Sequence, residues 1–322
     1  MALLAGSRKT TEAAALPLSA GPRRKRTRYL STIILFLLPC AIFYVALILL
    51  PLIQAAYYSV WNWSGLGPLT DFVGLRNFIT AFRSSTFLAA VAHNLIIMLL
   101  SIVVQLPISL ALALILGKTL PGRTIFRMIF FMPYVLSEVV AAVVWTFIYL
   151  PNGLASIVWE HTFHVAQAPL WVGNPSIVLY AVFVAITWKY LGLSLVLYSA
   201  AIQNIPDELV EAARIDGASS LVVVRYITVP LLGSTIRLTV LLSALGSLQF
   251  FDLMWVMTNG GPVHATETMA TYLTKYGFES FELGYGSAVG VILFLLCFIF
   301  ALMYQRFAMR RDLEGSITGA TA

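Results

Sequence analysis

The sequence predicts an all-α integral membrane protein with six transmembrane helices. Composition is the first reason: the chain is 60% hydrophobic and 11% charged, whereas ordinary soluble domains average about 25% charged. The second is the presence of six apolar runs, approximately 30–53, 88–116, 128–150, 176–202, 233–257 and 286–305, each long enough to cross a bilayer, which takes about 20 residues in a helix. None shows barrel-type alternation, and a helix satisfies its own backbone where no water is present to do so.

Taken in order, residues 1–28 read as a basic cytoplasmic tail, disordered over 1–22, where Ala, Ser, Gly and Pro show no apolar periodicity. Arg8 and Lys9, then Arg23, Arg24, Lys25, Arg26 and Arg28, precede the first span. That span exceeds the h-region of about 7–15 residues in a cleaved signal, so it reads as a retained signal-anchor. Pro39, Pro107 and Pro133 fall inside spans, where neighbours can satisfy the carbonyls they free. Lys118, Arg123 and Arg127 lie on the side of the basic tail, as do Arg214, Arg225, Arg306, Arg310 and Arg311, against Arg76, Arg83 and Lys275 opposite. This excess orients both termini and the loop 203–232 to the cytoplasm. The six-span domain covers 29–311, followed by a cytoplasmic tail, 312–322. The net charge of +6 then reflects orientation and anionic headgroups rather than a nucleic-acid partner. Cys40 and Cys297 lie within spans and read as buried thiols, not a disulfide.

The loop 203–232 is a polar island between apolar runs. Asn204 and Pro206 are expected to open a helix, with Asp207 and Glu208 at the positive end of its dipole and Gly217 closing it in a left-handed turn. A second short helical run leads to Pro230. Within this loop, Glu211, Ala212 and Ala213 are followed after three residues by Gly217, and then by Ile227, Val229 and Pro230.

That pattern resembles the EAA loop of permease subunits from binding-protein-dependent ABC importers, with Val229 in place of the usual leucine. Asn259, Gly260, Gly261 and Pro262, followed by Thr266 and an aromatic stretch to Phe278, resemble the glycine-proline loop of carbohydrate permeases. The third span has a familiar proline-then-tryptophan layout from Phe130 to Tyr149. The likeness covers roughly 30–310 and points to the maltose and glycerol-phosphate permease branch. It implies the type I importer permease fold and a sugar-importing role as half of the translocation pathway. Its implied partners are a second homologous permease, two ATPase subunits and an extracytoplasmic sugar-binding protein. Glu211, Ala212, Ala213, Asp216 and Gly217 would contact the ATPase, which would bind ATP and magnesium; no cofactor is implied for this chain.

The chemistry of the residues bounds other readings. Gly117-Lys118-Thr119 is not a phosphate-binding loop, because that motif needs glycine where Leu112 stands. Glu160, His161 and His164 lack a further ligand for a metal, and no nucleophile–base set marks an enzyme. Four ionisable residues in the spans demand partners: Glu138, Lys189, Arg237 and Asp252. Arg237 is placed to snorkel to the cytoplasmic surface. Lys189 either pairs with Glu138 or contacts substrate. A proton-coupled secondary transporter, using Glu138 or Asp252, is the rival reading, but it leaves the loop 203–232 unexplained. Sugars need hydroxyl partners and apolar ring faces. Trp188, Lys189 and Tyr190 on the fourth span therefore form one candidate set, and Ser243, Ser247, Gln249, Phe250 and Asp252 on the fifth form another. Ser243, Ser247 and Phe250 share a helical face, and such a serine stripe serves helix packing equally well.

Overall fold

The computed structural model describes residues 23–117 and 120–309. The expected tails at 1–22 and 312–322, and Lys118, Arg310 and Arg311, lie outside the described residues. The chain divides into two compact units, 1–53 and 54–322. In the first, helix α1 (Arg23–Tyr44) passes through a π turn (Val45–Leu49) into α2 (Leu50–Tyr58). Helix α1 thus takes in the basic run 23–28 that the sequence places in the cytoplasmic tail. Leu35–Tyr58 is long and apolar enough to cross a membrane. Its described side chains face outward, so Cys40 is exposed rather than buried, as suits an apolar helix whose surroundings are lipid.

The second unit takes in the end of α2 and then a short surface helix, α3 (Arg76–Arg83), joined directly to the second span. That span is α4 (Ser85–Leu100), a π turn (Ser101–Gln105) and α5 (Leu106–Leu116). Ser84 caps its start by accepting from the Phe87 N–H at 3.3 Å. The π turn stands directly ahead of Pro107, which has no N–H to donate.

Two expected spans are not continuous. The third is a pair, α6 (Arg123–Val135) and α7 (Glu138–Ile148), bent by 98°. Pro133 weakens the end of α6, and Leu136 turns to extended backbone, ψ 146°. After α8 (Leu154–Phe163), the fourth span α9 (Val178–Gln203) is unbroken and the most buried. The loop that follows holds α10 (Asp207–Ile215), α11 (Ser220–Val223), a π turn (Val224–Thr228) and α12 (Val229–Leu231). The 220–231 segment meets α13 (Gly233–Leu248) at 66°. The expected fifth span, 233–257, stops at Leu248 and resumes as α14 (Asp252–Thr258). Helix α15 (Met269–Leu273), a π turn (Thr274–Glu279) and the final span α16 (Leu283–Phe307) complete the fold. No named strand occurs among the described residues; Trp61 and Phe72 form an isolated bridge.

Helices α5, α6 and α9 pack closest. A methyl added at Gly192 of α9 would sit 2.0 Å from the Phe130 carbonyl oxygen of α6. Only glycine permits this approach, and Ser109 Oγ donates to the Leu191 carbonyl at 3.1 Å beside it. We expect Gly192→Ala to force α6 and α9 apart and to destabilise the subunit by about 1–3 kcal/mol or more. Gly246→Ala, whose methyl meets no atom within 4 Å, serves as the matched control. Thermal unfolding in detergent compares the two, and equal midpoints would contradict the packing argument.

Candidate functional site

A cavity of about 460 Å³ opens between the second span, α6, α9 and α13. Each wall follows from helical periodicity. On α9, Ile186, Tyr190, Leu193, Ser194 and Leu197 recur at the spacing of one face. On α13, Thr239, Leu242, Ser243, Gly246 and Ser247 do the same, and Phe250 closes the end. Ser101 and Gln105, at the two ends of the π turn, enter from the second span, and Tyr134 from α6. The polar lining is hydroxyl and amide without a charged side chain. Among the described residues, Ser101, Gln105, Ser194 and Ser243 form no side-chain hydrogen bond, so the cavity is lined by unspent donors and acceptors. Ser247 Oγ instead donates back to the Ser243 carbonyl at 2.8 Å, and Thr239 pairs with the Tyr198 hydroxyl at 2.6 Å.

The sequence-derived candidates separate. Tyr190, Ser243, Ser247 and Phe250 line the cavity. Trp188 lies on the opposite face of α9, exposed and edge-on to Trp145. Gln249 and Asp252 flank the break between α13 and α14 and are exposed. Sequence reasoning missed Ser101, Gln105, Tyr134, Ser194 and Thr239. Ser101 and Gln105 were detectable as two polar residues one turn apart inside an apolar run.

Lys189 is 2% exposed and has a structural task. Its Nζ donates to the Leu136 carbonyl at 2.7 Å and lies 3.9 Å from Glu138 Oε1. Leu136 is the residue at which α6 ends, so Lys189 satisfies the carbonyl freed by the 98° bend. Glu138 also accepts from the Tyr190 hydroxyl at the cavity wall. The second break is held in the same way. Asn94 of α4, fully buried, donates through Nδ2 to the Ser247 carbonyl at 2.7 Å and the Leu248 carbonyl at 3.3 Å. Its Oδ1 accepts from the Met269 N–H at 2.9 Å, and Thr268 Oγ1 donates to the Phe250 carbonyl at 2.8 Å.

The glycine-proline loop is built on one buried carboxylate. Glu267 Oε2 meets His264 Nδ1 at 2.7 Å and Lys275 Nζ at 3.4 Å, and Lys275 also donates to the Asn259 carbonyl at 2.7 Å. Gly260 has φ +74°, and a methyl there would lie 2.9 Å from Lys275 Nζ. Glu160 accepts from the Ala168 N–H at 2.9 Å, and no group of three His, Cys, Asp or Glu side chains placed to share a metal ion occurs among the described residues.

In the polar loop, Asn204 caps the end of α9 instead of opening α10, because α9 runs unbroken to Gln203; Pro206 takes the N-cap position. Gly217 does close the helix, at φ +82°. The Gly217 N–H bonds to the Arg214 carbonyl and the Ala218 N–H to the Ala213 carbonyl, at 3.0 and 2.9 Å, which is a Schellman ending. No residue of α10 is buried. Glu211, Ala212, Asp216 and Gly217 are exposed and Ala213 partly so; Ile215, an apolar side chain, is 86% exposed.

Comparison with known proteins places this architecture. The model of the family described as binding-protein-dependent transport system inner membrane component matches residues 13–312. A probable ABC transporter permease protein YurN of Bacillus subtilis is 32% identical over 85% of this chain and 94% of its own length. The trehalose/maltose transport system permease protein MalF of Thermococcus litoralis is 30% identical over 86% of this chain and 94% of its own. A chain of a bacterial alginate ABC transporter, solved in complex with an alginate pentasaccharide-bound periplasmic protein, superposes with a TM-score of 0.78. It shares 20% identity and covers 90% of this chain and 98% of that one.

The Lys189 geometry yields a direct test. Lys189→Met leaves the Leu136 carbonyl buried without a donor, a loss of about 1–3 kcal/mol. We expect a lower thermal midpoint in Lys189→Met and substantial recovery in Lys189→Arg, whose guanidinium can still donate. Unchanged stability in both variants would return Lys189 to the list of substrate contacts.

Proposed function

The chain belongs to the family of binding-protein-dependent transport system inner membrane components, and on that premise we propose that it is the permease subunit of an ATP-driven sugar importer. It forms half of the translocation pathway beside a second homologous permease. Two ATPase subunits bind ATP and magnesium on the cytoplasmic side, and an extracytoplasmic binding protein delivers the sugar. The observation that carries this reading is the bare α10: a capped, well-ended helix that buries none of its side chains and displays Glu211 beside Ile215. A helix presenting both charge and apolar surface to solvent fits a docking groove on another subunit. The names of the relatives, one for trehalose and maltose, and the hydroxyl-lined cavity support a sugar as cargo. Hydroxyls, one amide and aromatic edges suit an uncharged carbohydrate, and the cavity offers no cationic side chain for an acidic one.

Coupling runs through Glu211, Ala212, Ala213, Asp216 and Gly217. Glu211→Lys reverses a charge at the dock, and Gly217→Val places a branched side chain at φ +82°. Both are expected to abolish uptake while the subunit still inserts in the membrane; normal uptake with the ATPase bound would overturn the assignment. The function is tested by assembling the complex and measuring which labelled sugars stimulate ATP hydrolysis. Uptake that stops with the proton gradient, not with ATP, would identify a secondary transporter instead.

The cavity has its own test. Gln105→Leu removes one polar partner, about 0.5–1.5 kcal/mol, and is expected to raise the KM for sugar uptake roughly 2- to 10-fold with assembly intact. Trp188→Ala, on the far face of α9, is expected to leave KM unchanged. The reverse order would move the pathway to the other side of α9.

For the orientation, a cysteine at Thr162 should react with an impermeant reagent in intact spheroplasts. One at Ser219 should react only after permeabilisation.

A further inference from the structure

Helix α3 is a surface helix whose two ends are both tied to the ends of membrane spans. Its start is pinned to the chain just beyond the first span: Asn77 Nδ2 donates to the Ser59 and Trp61 carbonyls at 2.9 and 3.0 Å. Its end is Ser84, which is at once the C-cap of α3 and the N-cap of the second span. Since the first span ends at Tyr58 and the second begins at Ser85, α3 is held where one helix leaves the bilayer and the next enters it. Tyr57, Tyr58, Trp61, Trp63 and Phe72 cluster at the same level, with ring centroids 4.5–5.9 Å apart. Such aromatic belts mark the membrane–water interface.

The surface of α3 is divided lengthwise. Phe78 and Ala81 turn inward against the last span and α4. Leu75, Ile79 and Phe82, at i, i+4 and i+7, are 68, 49 and 55% exposed and form a single apolar stripe. Arg76 and Arg83, seven residues apart, form an exposed cationic stripe next to it, and Thr80 lies beyond. Water solvates the arginines but not the stripe, and a hydrocarbon core suits the stripe but not the arginines. A headgroup layer accommodates both.

We propose that α3 is an interfacial anchor lying in the phospholipid headgroup layer, with Leu75, Ile79 and Phe82 in the acyl boundary and Arg76 and Arg83 on lipid phosphates. A lipid partner fits better than a protein one because α4, joined to α3 through the shared cap Ser84, is a membrane-spanning helix that itself exposes Leu88, Leu95 and Leu99. Guanidinium groups also match phosphate geometry bidentately. The anchor rests on the chain spanning a membrane and not on what it transports, so its failure leaves the importer reading untouched.

The test uses the assembled complex in nanodiscs, in a Cys40→Ala, Cys297→Ala background, with a nitroxide on Ile79→Cys or on Thr80→Cys. Power saturation with oxygen and with a water-soluble nickel chelate reports immersion. The Ile79 label is expected to be several-fold more accessible to oxygen than to the chelate, and the Thr80 label the reverse. Replacing phospholipid by phosphate-free galactolipid, or introducing Arg76→Gln with Arg83→Gln, is expected to raise the chelate accessibility of the Ile79 label at least twofold. Equal ratios at the two positions would overturn the anchor. Shielding of the Ile79 label from both probes only when binding protein is added would assign the face to a protein contact. An Ile79 label indifferent to both phosphate removal and arginine loss would overturn the phosphate contacts.

Discussion

A carbonyl oxygen freed where a helix breaks inside hydrocarbon has no water to turn to, and the rest of this structure depends on how that constraint is met. Each such group costs several kcal/mol if left alone. The chain breaks twice where the sequence reads a continuous span, at Leu136 and at residues 249–251, and both breaks are served by side chains from other helices. Lys189 on α9 reaches the Leu136 carbonyl. Asn94 on α4 spans the Ser247 and Leu248 carbonyls and the Met269 N–H, while Thr268 takes the Phe250 carbonyl. The bends in turn create the space between α6, α9 and α13 that becomes the cavity. Lys189, which reads as a candidate ligand in the sequence, is therefore a brace of the wall.

This division of labour separates the charged side chains from the cavity. Lys189 and Glu138 sit behind the cavity wall, and only Tyr190, hydrogen-bonded to Glu138, faces both sides. The lining itself is neutral. A pair with one buried and one half-buried partner contributes little net stability when intact, because desolvation of the lysine offsets attraction, yet removing the partner of the buried charge is costly. Its value here is geometric: it fixes the angle of α6 against α7 and the ring of Tyr190.

Much of this was legible in the sequence. The apolar runs gave the helices, and the Ala-Ala, Gly217 and Pro230 spacing gave the loop, down to the left-handed turn. What local pattern could not show was continuity. Pro133 was visible, but whether it merely kinks α6 or ends it depends on a lysine 56 residues away in sequence supplying a donor. Asn94 and Glu267 escaped notice for the same reason, since their partners are carbonyls and turns brought near only by the fold. The cavity was half visible: the serine stripe of α13 follows a helical period. Ser101 and Gln105 depend on a π turn that alters the facing of the residues after it, and Trp188 points away because it lies two residues, just over half a helical turn, from the lining residues Ile186 and Tyr190.

The placement of the cavity relative to the polar loop explains how one could act on the other. Helix α9 carries cavity residues Tyr190, Ser194 and Leu197 and ends at Gln203, where the loop starts. Helix α13 starts at Gly233, where the loop ends, and carries Thr239, Ser243 and Ser247. The two walls are thus the two arms of the same loop, and Ser194 lies roughly 14 Å from the end of α9 at 1.5 Å per residue. Between cavity and loop the arms are tied by the Tyr198–Thr239 hydrogen bond, 2.6 Å and buried. In the proposed importer, a displacement of α10 by the ATPase would not dissipate in a flexible linker. It would reach both walls through rigid helices braced to each other, and the 66° bend at Leu232 supplies the joint at which one arm can turn relative to the loop. The same geometry makes the coupling mutual: a sugar that favours one spacing of the walls biases the position of α10, as linkage between two sites on one two-state element requires.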